Sequence, residues 1–298
     1  MSLRNCTQLQ VLDLSSNAFT GNIPSGLCSA SSLQELLLAG NSLFGSIPSD
    51  LGNYTNLIVI NLSLNNLSGS TPLEVWMLPK LSDLIMWGNN FSGEIPKGMC
   101  LNGGNLRRLI LNNNPFSEVF PESLTNCTNL TWLSLCDNQL HGEIPANIQN
   151  LQKLSILQLS HNPLTGAIPQ ELGNCRNSTG KPGEIPGSEH LFVGEFHQRL
   201  CCSDTKAPGQ SRILGSIFQF LVRIDPPEPG SMYFLSYLNL GQNNLTGTIP
   251  HMFRNLTGLG VVYLSHNHLD GEIPLSLASL PRLNDIDLSN NSLSGPIP

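Results

Sequence analysis

Charged side chains are scarce in this sequence, and basic ones are the scarcest. Only 12% of the 298 residues are Asp, Glu, Lys or Arg, and the 14 Lys and Arg residues leave a formal net charge of −7. The basic residues are scattered, so the chain offers no concentrated positive field for nucleic acid or anionic lipid. We therefore expect neither as a primary partner.

Long apolar runs are also missing. No stretch of 18 or more apolar residues occurs, and the first six residues carry neither a basic nor an apolar segment. We identify no membrane span and no signal peptide in this region, and we expect it to make no membrane contact. Because both ends fall inside a repeating pattern, we expect a fragment of a longer protein.

Motifs that carry catalysis or bind metals are absent too. The sequence contains no nucleophile elbow, phosphate-binding glycine loop, metal-binding helix or kinase signature. His197, Cys201 and Cys202 lack the paired spacing of a metal site, and acidic residues such as Asp285 and Asp287 are usually only solvated. We expect no catalysis, metal or cofactor in this region.

Five of the eight cysteines share positions in a repeat, and none of the eight forms a paired C-x-x-C motif. Cys6, Cys127 and Cys175 occupy one position, and Cys28 and Cys100 occupy another. Recurrence at a fixed register is typical of small buried core residues. The sequence therefore predicts no disulfide framework.

What the sequence does contain is one motif repeated along its length. The first clear copy spans residues 9–24 and has the form L-x-x-L-x-L-x-x-N-x-F-x-G-x-I-P. Seven of the nine intervals between motif asparagines are 24 residues, one is 25 and one is 81. This period indicates leucine-rich repeats, whose units must stack to bury their apolar faces. The motif asparagines are Asn17, Asn41, Asn65, Asn89, Asn114, Asn138, Asn162, Asn243, Asn267 and Asn291.

The spacing within the motif predicts the structure of each unit. Leu12 and Leu14 are two apart in a short strand, so both point inward while Asp13 and Ser15 face outward. The asparagine can hydrogen-bond backbone groups of the adjacent turn. The Gly-x-Ile-Pro element suits a second extended segment, in which the proline position does not have to donate a backbone N–H to a neighbouring strand. The remaining core positions are predicted to be Leu9, Phe19 and Ile23.

The motif resembles the plant-specific class of leucine-rich repeats, which is found in ectodomains of receptor kinases and receptor-like proteins and in secreted cell-wall inhibitors. The resemblance covers residues 1–177, with seven ladder asparagines, and residues 230–298, with three. It implies an extracellular α/β repeat solenoid, a right-handed superhelix of 24-residue repeats whose parallel strands line the concave face.

The pattern breaks after residue 177 and returns at residue 230. Core positions expected by register in this interval hold Ser178, Lys181 and Gly183. Residues 178–229 are rich in phenylalanine and proline for such a segment. They form either an island domain folded back onto the concave face or a solvated loop or damaged repeat.

An island a few repeats before the end is similar to the brassinosteroid-receptor family. In that family the steroid lies between the island and the inner strands, and a co-receptor kinase ectodomain docks over the hormone. This chain departs from the family in having fewer repeats around the island and adjacent Cys201 and Cys202, whose geometry disfavours a mutual bridge, in place of a separated pair. The resemblance also includes residues 76–84, 103–106, 172–175, 230–232 and 287–291.

Several outward positions beside the island are apolar or aromatic, whereas most outward strand positions elsewhere are polar. Such a patch beneath an aromatic-bearing loop suits a largely hydrophobic small ligand, although the same side chains would also simply pack under the island. Trp87 points outward farther away and suits a peptide or protein contact. The predicted ligand-binding residues are Trp132, Ile156, Gln158, Phe192, Phe196, Phe218, Phe220, Tyr237, Asn239 and Tyr263.

Sequons for N-glycosylation support the secretory route, although an Asn- and Ser-rich repeat generates some by chance. Asn61 points outward from a concave strand, so a glycan there would block that part of the face. The candidate sites are Asn5, Asn53, Asn61, Asn66, Asn90, Asn126, Asn129, Asn177, Asn244, Asn255 and Asn290.

The leading hypothesis is the ligand-binding ectodomain of a plant receptor kinase at the extracellular face of the plasma membrane. Its partners would be a small-molecule hormone, brassinosteroid-like, or a peptide, together with a co-receptor kinase ectodomain. One alternative is a secreted or membrane-tethered repeat protein that binds a peptide, protein or cell-wall polysaccharide, as polygalacturonase inhibitors do. The other is a truncated receptor fragment without function.

Overall fold

A computed structural model describes residues 6–27, 32–100, 104–175 and 235–298. Each repeat begins with a three-residue strand. Side chains alternate in direction along such a strand, so the leucines of the motif lie on the same side of the sheet. The strands in chain order are β1 (Val11–Asp13), β2 (Thr20–Gly21), β3 (Glu35–Leu37), β4 (Ser42–Gly45), β5 (Val59–Asn61), β6 (Asn66–Gly69), β7 (Asp83–Ile85), β8 (Asn90–Phe91), β9 (Arg108–Ile110), β10 (Trp132–Ser134), β11 (Gly142–Glu143), β12 (Ile156–Gln158), β13 (Leu164–Thr165), β14 (Tyr237–Asn239), β15 (Thr246–Thr248), β16 (Val261–Tyr263), β17 (His268–Glu272), β18 (Asp285–Asp287) and β19 (Ser292–Ser294).

Ten of these strands form one parallel sheet in the order β1-β3-β5-β7-β9-β10-β12-β14-β16-β18. The register is residue for residue, so that Leu133 lies opposite Leu157. β12 pairs directly with β14, with Ile156 opposite Tyr237, so the repeats on either side of residues 176–234 stack on each other. The predicted leucine-rich-repeat solenoid with parallel strands is confirmed. The predicted island, residues 178–229, lies outside the described residues.

A second layer of short strands lies beside the main sheet, mostly between each ladder asparagine and its Gly-x-Ile-Pro element. These strands include at most the first two residues of that element, so the extended segment begins earlier than predicted. They form three parallel sheets, β2-β4-β6-β8, β11-β13 and β15-β17-β19. A proline in extended backbone then precedes each single helical turn, as Pro145 does at φ −71°. The 3-10 turns are Ser49–Asn53, Glu122–Asn126, Ala146–Asn150, Gln170–Asn174 and His251–Asn255, and the α-helical turns are Leu73–Trp76 and Leu275–Ala278.

The ladder asparagines close the leucine core at the ends of the concave strands. Asn138 is representative: its Nδ2 donates to the carbonyl oxygens of Leu135 at 2.9 Å, Cys136 at 3.0 Å and Leu111 at 3.2 Å. Its Oδ1 accepts from the backbone N–H of Phe116 at 3.1 Å. From Asn41 onward, each ladder side chain ties its own strand end to the preceding repeat, as the motif predicted.

Phe19 is exposed, contrary to its predicted place in the core. Its side chain is 46% exposed, whereas Leu43 and Leu67, at the same register of the next two repeats, are 8% and 0% exposed. Phe19 belongs to the first described repeat, so it is covered by stacking from one side only. Ile23 of the same repeat is buried and Leu9 is partly buried, as predicted.

The prediction of no disulfides was wrong. Cys100 and Cys127 form a disulfide, with Cα atoms 5.0 Å apart and a sequence separation of 27 residues. They occupy different register positions, but a step of slightly more than one repeat brings them together, which a comparison of equivalent positions misses. Cys175 is a free, buried core residue, while free Cys6 is exposed; Cys28 lies outside the described residues.

Candidate ligand-binding face

The concave sheet presents two columns of outward side chains, from the first and third residues of its strands. Because the strands are parallel and in register, equivalent residues lie side by side at a spacing of about 4.8 Å. The first column is Val11, Glu35, Val59, Asp83, Arg108, Trp132, Ile156, Tyr237, Val261 and Asp285, and the second is Asp13, Leu37, Asn61, Ile85, Ile110, Ser134, Gln158, Asn239, Tyr263 and Asp287.

An apolar cluster, the concave cluster, occupies the middle of this face. It consists of Ile85, Trp87, Ile110 and Trp132, none of them more than 8% exposed, with Ile156 packed against it. Trp87 therefore lies with predicted residue Trp132 and not apart from it. Sequence analysis did not select Ile85 and Ile110, although apolar side chains at outward positions were the available signal.

Gln158 joins neighbouring strands through its side-chain oxygen. Its Oε1 accepts hydrogen bonds from Ser134 Oγ at 2.7 Å and from Trp132 Nε1 at 3.2 Å. Gln158 and Ser134 are fully buried, and Trp132 is 8% exposed. These bonds fix the indole edge beside the concave cluster, so Gln158 orients an aromatic surface in addition to being a candidate contact.

Two tyrosines extend the face beyond β12. The rings of Tyr237 and Tyr263 meet edge to face, with centroids 5.9 Å apart and planes at 81°, a favourable aromatic arrangement. Tyr263 donates a hydrogen bond from its hydroxyl to Asp285 Oδ2. Burial raises the pKa of both phenols, and the hydrogen bond to Asp285 raises that of Tyr263 further. Both phenols therefore stay protonated, and the hydroxyl proton of Tyr263 is donated to Asp285.

The structure brings the predicted residues of β10, β12, β14 and β16 together on one face. Tyr237 is 2% exposed, whereas Ile156 and Tyr263 retain accessible surface. Asn239 is buried, and its Oδ1 accepts from the backbone N–H of Gly241 at 3.1 Å. The predicted phenylalanines lie outside the described residues: Phe192, Phe196, Phe218 and Phe220.

A two-point ion pair that sequence analysis did not select lies beside the concave cluster. Arg108 donates from Nε to Asp83 Oδ1 at 2.7 Å and from Nη2 to Asp83 Oδ2 at 2.8 Å. The two side chains are 14% and 8% exposed. Since paired donors match a carboxylate, the arginine neutralises an otherwise buried charge and holds β7 against β9.

The described ranges contain neither a grouping of metal-binding side chains nor a helix suited to a membrane. In residues 6–27, 32–100, 104–175 and 235–298, no three His, Cys, Asp or Glu side chains are grouped so that they could hold a metal ion. Among the same residues, no helix has the length and apolar character needed to cross a bilayer.

The repeat pattern matches a known family in both parts of the described chain. The Leucine rich repeat family matches residues 104–164 and 234–293, and a second leucine-rich-repeat description matches residues 8–30 and 32–54. No curated protein sequence matches the chain.

Solved structures with a similar fold include ectodomains of plant receptor kinases. GASSHO1/SCHENGEN3 from Arabidopsis thaliana, in complex with CASPARIAN STRIP INTEGRITY FACTOR 2, is 32% identical with a TM-score of 0.76, over 98% of this chain and 28% of that one. Arabidopsis HAESA with an N-terminally extended IDA peptide hormone is 33% identical with a TM-score of 0.73, over 98% and 39%. HAESA with IDA and the co-receptor SERK1 is 32% identical with a TM-score of 0.55, over 99% and 48%.

The chain spans less than half the length of each of these receptor chains. Within that span, the ladder asparagines, the parallel concave sheet and the family matches agree with one another. The chain is a leucine-rich-repeat protein whose structure is similar to the ectodomains of plant receptor kinases.

Proposed function

We propose that the chain is a ligand-binding part of the extracellular domain of a plant receptor kinase and that a peptide hormone lies along its concave face. The main support is the part of the concave face that keeps accessible surface, from Arg108 and Ile156 to Tyr263 and Asp285. Apolar and aromatic surfaces alternate there with hydrogen-bonding groups, as a peptide with mixed side chains requires. Similar ectodomains are known in complex with peptide hormones.

In this proposal the chain binds and does not catalyse. The concave columns offer shape and hydrogen-bonding groups, which favour recognition of a partner. Signalling would follow from recruitment of a co-receptor kinase ectodomain to the ligand-bound face, as the HAESA complex with SERK1 suggests by similarity. The membrane span and the kinase would belong to other parts of a longer chain.

A brassinosteroid-like hormone is the second candidate ligand. The observation that favours it is the concave cluster, in which Ile85, Ile110 and two tryptophans form an apolar surface on a face that is otherwise polar at many outward positions. A rigid apolar ligand gains most of its affinity from such a surface. The resemblance to the brassinosteroid-receptor family supports the same ligand class.

The proposal is tested by selecting peptides from a displayed linear library against the secreted, glycosylated chain. Selected peptides are then titrated by calorimetry into the wild type, Tyr263→Ala and Val11→Ala. Tyr263 lies on the proposed face, whereas Val11 is 48% exposed at the far end of the same sheet. We expect Tyr263→Ala to weaken binding about tenfold or more, equivalent to about 1.4 kcal/mol, and Val11→Ala to leave it unchanged.

Calorimetry with a brassinosteroid, alongside Tyr237→Ala, separates the two ligand classes. Saturable heat from the steroid and none from selected peptides would replace the peptide proposal with the second candidate. If a folded protein, verified by circular dichroism, binds neither probe, the receptor function proposed for this region is wrong.

A further inference from the structure

The nine sequons within the described residues differ in whether their asparagine amide is already used by the fold. Six side chains, at Asn53, Asn66, Asn90, Asn126, Asn244 and Asn255, make no hydrogen bond and are exposed or half-buried. The other three, at Asn61, Asn129 and Asn290, have polar contacts. This difference is invisible in the sequon pattern, because all nine satisfy Asn-x-Ser/Thr.

Asn61 is inaccessible as an acceptor. It is 2% exposed on the concave face, and its Oδ1 accepts hydrogen bonds from the backbone N–H of Ser63 at 3.2 Å and from Ser63 Oγ at 2.6 Å. Ser63 supplies the hydroxyl of the same sequon and is 1% exposed. Both chemical groups of the sequon are therefore buried and bonded to each other. A bulky glycan at Nδ2 does not fit while Asn61 and Ser63 stay buried and bonded in this way.

Asn129 uses the reactive nitrogen itself. Its Nδ2 donates to the carbonyl oxygen of Gly104 at 2.8 Å, and its Oδ1 accepts from Lys153 Nζ at 2.6 Å. The sequon hydroxyl, Thr131 Oγ1, donates to the carbonyl oxygen of Arg107 at 3.1 Å. These bonds join three consecutive repeats along the flank. Asn105 makes the equivalent contact one repeat earlier, to the carbonyl oxygen of Pro79 at 2.7 Å.

The six free asparagines lie at two places in the repeat, neither of them on the concave face. Asn66, Asn90 and Asn244 directly follow a ladder asparagine, and Asn53, Asn126 and Asn255 end the 3-10 turns. A bulky, hydrated glycan at either place projects into solvent without disturbing the stacked sheet. Glycans on these six residues would cover the flanks and leave the concave columns bare.

We propose that the folded protein carries N-linked glycans at the six free asparagines and none at Asn61 or Asn129. The inference rests on the proposed extracellular location, since the modification occurs in the secretory pathway. The reaction joins Nδ2 to C1 of the first sugar of a lipid-pyrophosphate-linked oligosaccharide. The C1–O bond breaks, the pyrophosphate leaves with the bonding electron pair, and the amide loses one proton. Asn290 is exposed, and its Nδ2 lies 3.0 Å from His266 Nε2. Its side chain is both accessible and in polar contact, so the presence or absence of a glycan there does not test the proposal.

The test is mass spectrometry of the whole chain, secreted from a eukaryotic host behind an added signal peptide. Glycans are removed in ¹⁸O-labelled water by an amidase that converts each occupied asparagine to labelled aspartate. We expect labels at the six free residues and unlabelled Asn61 and Asn129 in secreted, protease-resistant protein. A glycan on either of those two residues in that fraction would overturn the inference.

Asn126 and Asn129 provide a matched pair only three residues apart. Asn126→Gln should remove one glycan and shift the electrophoretic band, whereas Asn129→Gln should leave the band unchanged. If secretion is poor, labelled Asn61 confined to the retained protein supports the inference, because such chains cannot fold. Glycan occupancy is measured without any ligand. A wrong glycan prediction would therefore leave the proposed receptor function intact, and failed ligand binding would leave the glycan prediction intact.

Discussion

A ladder asparagine hydrogen-bonds several backbone groups through a single side chain. Asn138 is 8% exposed and makes four hydrogen bonds to the backbone of its own and the preceding repeat. Asn138→Ala leaves these buried groups without their partner, so we expect the free energy of unfolding to fall by about 2 to 4 kcal/mol. Urea unfolding followed by circular dichroism measures the change.

Asn17 is the matched control for this prediction. Its Nδ2 donates only to carbonyl oxygens of its own repeat, and the bonds are exposed to solvent. Water can replace them, so Asn17→Ala should reduce stability by less than about 1 kcal/mol. Equal losses in the two variants would contradict the ladder interpretation.

Asp137 predicts a pH dependence of stability. Burial raises the pKa of this carboxyl from 3.8 to about 7, and its Oδ2 has no hydrogen-bond partner in the described structure. Between pH 4 and 7 the folded state holds the proton that the unfolded state has released. Stability therefore decreases as pH rises through this window and levels off above about pH 7.

Asp137→Asn removes the ionisation, so the stability gained relative to wild type should be larger at pH 8 than at pH 5. Thermal unfolding at the two pH values measures this difference. Asp270→Asn, which changes an exposed carboxylate, is the control and should leave the wild-type pH dependence in place. An Asp137→Asn variant whose midpoint follows the wild type at both pH values would count against the burial argument.

Among the strand elements, the segment between β9 and β10 contains an unusual backbone. Glu118 adopts φ +79°, at a register where Gly93 and Gly142 adopt +86° and +81°. A side chain is strained there, so Glu118→Gly should stabilise the protein by about 0.5 to 1 kcal/mol despite a more flexible unfolded chain. Glu94→Gly, one residue beyond the glycine register, should destabilise it in the same urea assay. Destabilisation by both changes would exclude strain at Glu118.

The Cys100–Cys127 disulfide links the helical-turn side of neighbouring repeats. It closes a loop with a sequence separation of 27 residues, which restricts the unfolded chain. Replacing both cysteines by serine should lower the free energy of unfolding by about 3 kcal/mol. Cys6→Ser, at a free and exposed cysteine, should change nothing. A double variant as stable as the wild type would mean that packing alone aligns these repeats.

For the whole molecule, nearest-neighbour stacking predicts a gradient of local stability. Leu133 and Leu157 are fully buried in the middle of the sheet, whereas Ile286 in the last strand is 43% exposed. Repeats at the sheet edges have one partner fewer, so they open more often. Hydrogen exchange should be slowest in β10 and β12 and faster in β1 and β18. Uniform exchange across all ten strands would indicate all-or-none opening.

The sequence by itself determined the repeat period, the strand positions and the division into inward and outward residues. These features are local: the 24-residue spacing sets the stacking unit, and alternation within a strand sets the side. The ladder followed in the same way, because asparagine recurs where each concave strand ends. Trp132, Ile156, Tyr237 and Tyr263 were selected as outward aromatic or apolar positions on that basis alone.

Only the tertiary structure decided which outward residues meet. The contact of Trp87 with the cluster around Trp132, the Cys100–Cys127 bond and the burial of Asn61 depend on distances between repeats. Such distances follow from how side chains of different size pack across neighbouring strands. The repeat period gives the spacing of equivalent residues along the chain and carries no information about this packing. Register places residues in columns, but packing determines which members of a column touch, which are covered and which remain free to bind.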